Sequence, residues 1–333
     1  KGYKKSYKNS LNKMVKNIPN RINSSSDQSA VSNYDDALLN DILIGAVDLH
    51  CHSGPSVMPR CIDHIQVMKE GAAAKMKAIL IKDHYYSATP VTELLMNHFQ
   101  ELGVQMLSGV PLNNSTGGIN RFAVDHGIKL GAKLIWMPTF SSRNHIAHHK
   151  SDKDFEKKFP TTKEKMLTPV ELGVLDDNGR LLDEVKFILD MIAEADIVLS
   201  GGHLHISEIF PLFEEAKKRG VKKLLVNRPS YLIDATEDEM RELVTMGAYL
   251  EHSMCMFVPG SKFHFYSPRN LDNLIKAGTV DRTILGSDLG QVGNPTPIEG
   301  FKNVIATCLD LNYSQTDIKK MISGNASDLL GLD

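Results

Sequence analysis

The stretch Val47-Asp48-Leu49-His50-Cys51-His52-Ser53-Gly54-Pro55 carries two imidazoles two residues apart. On an alternating strand next-but-one side chains share a face, so His50 and His52 leave one surface side by side. Gly54-Pro55 ends the strand, leaving both rings at its C-terminal lip among loops. That is a place for metal ligands; two ordinary histidines beside a turn are the structural alternative. Polar strand ends recur further on: Lys82 and His84, His203 and His205, Asn227, Glu251 and His252, and Asp288.

Imidazole with carboxylate suits zinc, and with less selectivity manganese or iron, as one ion or two. A divalent ion draws the pKa of water towards roughly 7 and polarises a carbonyl or phosphoryl oxygen. Asp288 beside such a water is placed to ligate the ion and then accept the proton. Lys82 joins the ligands only as a carbamate, since an ammonium repels the cation; a salt bridge to Asp288 or Glu251 is its structural reading. Arg228 and Arg143 are candidates for holding a substrate carboxylate or phosphate through bidentate guanidinium contacts. His84, His205, Asn227, Glu251 and His252 complete the candidate substrate-binding set. His145, His148 and His149 fall on a polar insertion and read as surface histidines. A buried ring of mutually bonded polar side chains is the alternative for the whole set.

These residues need a scaffold that gathers distant segments, and the chain supplies one pattern for it. From Asp41 onward strand-like segments alternate with helical ones, as in a parallel α/β fold. Strands are expected at 45–52, 78–84, 104–110, 133–138, 196–203, 223–228, 248–252 and 282–288. The helix from about Asp63 to Ala74 is expected to bury Ile65, Met68 and Ala72. Ser207 is expected to cap the helix that ends at Arg219. Two helices, about 298–311 and 314–330, close the chain. Eight strands, each trailed by a helix, predict an α/β (β/α)8 TIM barrel with extra C-terminal helices, whose functional residues gather at the C-terminal strand ends. An open doubly wound sheet is the competing fold, but its first turn would carry a phosphate-binding Gly-rich sequence where His50-Cys51-His52 stands.

An insertion at about 141–182 interrupts the alternation after strand 4, with Asn178-Gly179 between apolar arms as a hairpin signal. Its size suits a lid or substrate wall. Residues 1–40 read as a basic and polar N-terminal extension and 41–333 as the barrel. Seven basic residues precede the first acid, Asp27, so the net charge of −2 leaves the remainder at −9. An acidic body argues against a nucleic-acid partner. Four cysteines, at 51, 61, 255 and 308, form neither a disulfide framework nor a zinc-ribbon spacing and read as reduced thiols of a cytoplasmic protein. No apolar run approaches the roughly 18 residues a membrane span needs. The expected partner is a small-molecule substrate, with homo-oligomerisation left open.

Asp48-Leu49-His50-Cys51-His52, Gly202-His203, Gly286-Ser287-Asp288 and the closing Gly324-Asn325-Ala326-Ser327-Asp328-Leu329-Leu330-Gly331-Leu332 resemble the amidohydrolase superfamily of metal-dependent TIM-barrel hydrolases. The resemblance covers the chain from about Asp41 to its end. It implies metal ligation by His50, His52, His203 and Asp288 and hydrolysis of an amide, lactone or ester bond in a small molecule. Two features depart from the family: Trp136-Met137-Pro138-Thr139 offers no bridging Lys or Glu on the fourth strand, and Asn227 stands where the sixth strand usually ends in His. Asp48-Leu49-His50-Cys51-His52-Ser53 and Lys82-Asp83-His84 also resemble the polymerase and histidinol phosphatase (PHP) phosphoesterases, whose late Asp-x-His is absent because Leu289-Gly290 follows Asp288. A metal-dependent decarboxylase and a catalytically inactive binding barrel are the remaining alternatives.

Overall fold

The computed structural model describes residues 33–150 and 166–332. Eight parallel strands follow one another in chain order: β1 (Val47–Cys51), β2 (Ala78–Ile81), β3 (Gln105–Pro111), β4 (Leu134–Trp136), β5 (Val198–Ser200), β6 (Leu224–Asn227), β7 (Tyr249–Ser253) and β8 (Thr283–Gly286). The ring closes between β8 and β1 through the Asp288 amide on the His50 carbonyl, 2.7 Å, and the His52 amide on the Leu289 carbonyl, 2.8 Å. This is the expected (β/α)8 barrel.

Around it lie α1 (Asp36–Leu43), α2 (His64–Ala73), α3 (Thr89–Phe99), α4 (Arg121–Lys129), α5 (Arg143–His149), α6 (Asp183–Ala195), α7 (Ile206–Lys218), α8 (Glu237–Thr245), α9 (Pro268–Gly278) and α10 (Pro297–Asp310). The closing segment is α11 (Gln315–Lys319), a π-helical turn at Lys320–Gly324 and α12 (Asn325–Leu330), where one unbroken helix was expected. Asn325 explains part of the Gly-Asn-Ala signature, since its amide donates to the carbonyls of Val280 and Thr283 under β8. No helix among the described residues is long and apolar enough to cross a membrane.

Apolar burial fixes the layers. Val47, Leu49, Leu80, Leu134, Trp136 and Ile284 pack with Leu329 and Leu330 of α12 in one cluster, while Ile79, Ile81, Ile135 and Leu285 belong to the cluster shared with the helices. Helix α1 buries Leu39, Ile42 and Leu43 completely, so residues 36–40 are part of the barrel's helical layer and not of the N-terminal extension; residues 1–32 lie outside the described residues. Helix α2 is capped by Asp63 as expected, but it buries Val67, Met68 and Gly71 and leaves Ile65 40% exposed, because the inward face runs through Met68 at a different phase.

The insertion is described at its two ends. Ser142 and Asn144, at the start of α5, bond the His203 carbonyl at 2.7 and 3.1 Å, and Asn144 also reaches the Leu232 carbonyl at 2.7 Å. The expected hairpin exists around Asn178-Gly179, with Leu175 bridged to Leu181 and Gly179 at φ +77°.

Candidate metal centre

The phase of β1 decides which histidines enter the barrel. Its register against β2 shifts between Asp48 and Cys51, placing an extra residue in β1. That bulge lets Leu49 pack in the apolar interior and then turns His50 and His52 inward above it. Asp48, left at the seam, accepts the His50 amide at 3.0 Å and the Ser287 amide at 2.9 Å. Burial pushes its carboxyl up to about 6 despite those bonds.

His50, His52 and Asp288 converge at the C-terminal mouth, all buried, as the one group of three metal-capable side chains among the described residues. Asp288 Oδ1 lies 3.3 Å from His50 Nε2 and 3.0 Å from His52 Nε2. The opposite ring nitrogens are already committed. His50 Nδ1 donates to Glu251 Oε1 at 2.6 Å, and His52 Nδ1 donates to the Lys82 carbonyl at 2.8 Å. A carbonyl can only accept, so neutral His52 must point its Nε2 lone pair at the carboxylate. Burial keeps both imidazoles neutral, holding His50 well below its usual range and pushing His52 down to about 3 against the pull of Asp288. Burial would raise Asp288, but the Arg228 guanidinium outweighs it and holds the carboxyl well below the usual carboxylate range. Two acceptor nitrogens and an anionic oxygen thus share one space, which a divalent cation fits and a neutral side chain does not.

Glu251 is held in turn by Asn227, whose amide donates to Glu251 Oε2 while its carbonyl accepts from the Ser200 hydroxyl. Asn227 and Glu251, expected to bind substrate, therefore lie beneath the centre and orient His50. Gly286 leaves the room for this: a Cβ there would stand 2.7 Å from Glu251 Oε1. Lys82 Nζ is 3.0 Å from His50 Nε2 and 5.6 Å from the centroid of the Trp136 ring, and no ion pair joins it to Asp288 or Glu251. Burial lowers its amine and raises the Glu251 carboxyl. Trp136, at the end of β4, packs in the apolar interior beside this amine.

Arg228 reaches Asp288 Oδ2 at 2.6 Å, and Cys255 Sγ lies 3.5 Å from the same oxygen. Arg228 and Asp288 both sit at φ +51°, a strained backbone region that turns the chain inward as β6 and β8 end. His84 stacks on His52 with centroids 5.2 Å apart and bonds the Thr139 hydroxyl at 2.8 Å.

Other candidates fall elsewhere. His203 stands one ring further out, 5.5 Å from His84 and 5.1 Å from His145 by centroid, outside the three-residue group, with Nε2 buried and unbonded. It follows the end of β5 at Ser200 by three residues, so His203 and His205 are not an alternating strand pair. His205 caps α7 by accepting the Ser207 amide, the role expected of Ser207, and its Nε2 lies 4.0 Å from Asp234. His252 alternates with Glu251 and points to the helical layer against Leu274, so the two cannot both face the site. Arg143 lies at the surface, 3.9 Å from Glu171. His145 and His149 are buried and not surface histidines, because α5 folds onto the barrel mouth and Phe140 stacks on His145.

Directly against the centre, with His52 and Asp288 on its wall, lies a cavity of about 20 Å³ completed by Met58, Arg60, Arg228, Phe263 and Gln291. A larger concavity, about 710 Å³, lies away from the centre between α1, α2 and α10. Cys255, Arg60 and Gln291 carry no sequence motif and emerge only from the fold, as does the hydrogen bonding of Asp48 to Ser287.

A family model described as a family of unknown function, DUF6282, matches residues 45–251. Among solved structures the chain is similar to the probable dipeptidase PvdM from Pseudomonas aeruginosa, at 11% identity and TM-score 0.60, over 91% of this chain and 98% of that one. It is also similar to an amidohydrolase from Pseudomonas aeruginosa, at 11% identity and TM-score 0.56, over 89% and 98% of the two chains. A third is dipeptidase AC, a metallopeptidase of family M19, at 13% identity and TM-score 0.52, over 86% and 98%. These neighbours have the barrel of the amidohydrolase superfamily, and at such identities the likeness is one of fold. No curated protein matches the chain.

Proposed function

The chain belongs to the DUF6282 family, and from that premise we propose that it is a metal-dependent hydrolase that cleaves an amide, lactone or ester bond of a small molecule. The observation that carries this reading is the convergence of two committed imidazoles and one carboxylate on a single space, with Asp288 Oδ1 at 3.0 and 3.3 Å from the two Nε2 atoms. His50, His52 and Asp288 hold one divalent ion, with zinc favoured by the donor set. Bound there, the ion supplies Lewis acidity and makes water a usable nucleophile at neutral pH.

The chain's own residues do the rest. Glu251 and the Lys82 carbonyl fix the tautomer and aim of the two rings. Asp288, kept anionic by Arg228, accepts the proton from the attacking water and passes it to the leaving group. Arg228 holds an anionic or carbonyl oxygen of the substrate. Lys82, in its carbamylated form, would add a carboxylate beside His50 Nε2.

The test is metal analysis of protein purified without chelator, with and without bicarbonate, followed by assay on lactones, N-acyl amino acids and phosphomonoesters. One ion per chain and turnover of a lactone or N-acyl compound are expected. A bicarbonate requirement for metal retention would assign the carbamate to Lys82. Metal-free protein that stays inactive after zinc addition, or turnover of phosphomonoesters alone, would overturn the reading.

A further inference from the structure

Arg60 has no part in the chemistry derived so far, yet its side chain is 3% exposed and it lines the same cavity as Arg228 and Gln291. One nitrogen, Nη2, donates to Asp83 Oδ2 and to the Ser56 hydroxyl, both at 3.1 Å. Nε and Nη1 are buried and have no hydrogen-bond partner. A guanidinium serving only as a buried strut would have its donors satisfied, since each unpaired buried donor costs free energy. Arg228 Nε on the same wall is also buried and unbonded.

The loop that carries Arg60 is fixed at both ends. The Gly54 amide bonds the Ile62 carbonyl at 2.9 Å and the His64 amide returns to Gly54 at 2.8 Å. On the other side the Cys61 amide bonds the Gly290 carbonyl at 2.9 Å, two residues beyond Asp288, and Arg60 bridges Gln291. Ser53, His64 and Tyr86 brace it from below through bonds of 2.7 and 3.0 Å. Arg60 is therefore held in place before any ligand arrives, which lowers the entropy cost of binding.

The geometry points to an anion subsite at Arg60: the substrate carries a carboxylate close to the bond that is cleaved, which Arg60 and Gln291 receive while Arg228 serves the reacting end. The cavity is small and bordered also by His52 and Asp288, so the planar head of a carboxylate between Met58 and Phe263 suits it better than a tetrahedral phosphate. This rests on the preceding reading for the position of the reacting end alone; anion recognition at Arg60 needs no metal chemistry.

The experiment is calorimetric titration of the full chain, metal content measured in each sample, with acetate, malonate, succinate, glutarate and inorganic phosphate. The best dicarboxylate should bind about tenfold tighter than acetate, the gain expected of one further charge-assisted contact. Arg60→Met should remove that gain and leave acetate binding as it was, and Arg60→Lys should restore part of it. Because Arg60→Met strands Asp83, the double variant Arg60→Met with Asp83→Asn removes both charges of the pair and should give the same loss. Dicarboxylate affinity unchanged in both variants, or phosphate preferred over every dicarboxylate, would overturn the subsite. Loss of metal with the dicarboxylate preference intact would sink the hydrolase reading alone.

Discussion

The Asp48 carboxylate receives both donors of Ser287, the backbone amide at 2.9 Å and the hydroxyl at 2.5 Å, and so stitches β1 to β8 directly beneath the metal candidates. The bulge in β1 deprives local amides of ladder partners, and one side chain replaces them.

Asp48→Ala strands the amides of His50 and Ser287 at a buried seam, while the Ser287 hydroxyl keeps the His50 carbonyl at 3.1 Å. A loss of about 3 kcal/mol is expected, from the cost of leaving buried donors unsatisfied. Asp48→Asn keeps one acceptor oxygen and should lose less. Urea unfolding of the three proteins checks this, and an alanine variant as stable as the parent would remove Asp48 from the seam.

Glu251 acts through His50 and touches no substrate. Glu251→Leu should weaken zinc binding by about 10- to 100-fold, the usual effect of losing a carboxylate behind a ligating imidazole. Glu251→Gln should fall between, since its carbonyl still accepts from Nδ1. Competition against a zinc chelator measures both; equal affinities across the series would contradict the role.

Asp288 combines ligation with proton transfer. Asp288→Asn should lower turnover by about 10²-fold or more even when zinc is supplied in excess. Activity close to wild type in zinc-loaded Asp288→Asn protein would move the base elsewhere.

The fold is acid-sensitive by construction. Burial lowers His64 and His252 to about 4, so each is neutral when folded and takes up a proton more readily when unfolded, near 6.5. Their contribution is present in full above about pH 6.5 and is lost as pH falls from there through about 4. Unfolding free energies measured at steps across this window should decline for the parent and decline less steeply for His252→Gln. An unchanged slope in that variant would refute the assignment.

The amino-acid order by itself determined the strand–helix alternation, the terminal signature and the residue types at the strand ends, because periodicity and burial of apolar faces are local properties. It also placed His50 and His52 on one face, and His50, His52 and Asp288 do meet. Tertiary structure decided the rest. A bulge that no propensity announces set which way those rings face, and alternation sent Glu251 inward and His252 outward. His203 and His205 left the strand because β5 ends early, and Arg60 reached the cavity through loop contacts with residues some 230 positions away. Side-chain chemistry is written locally, whereas the common point at which side chains meet depends on barrel closure, where register and loop anchoring sum over the whole chain.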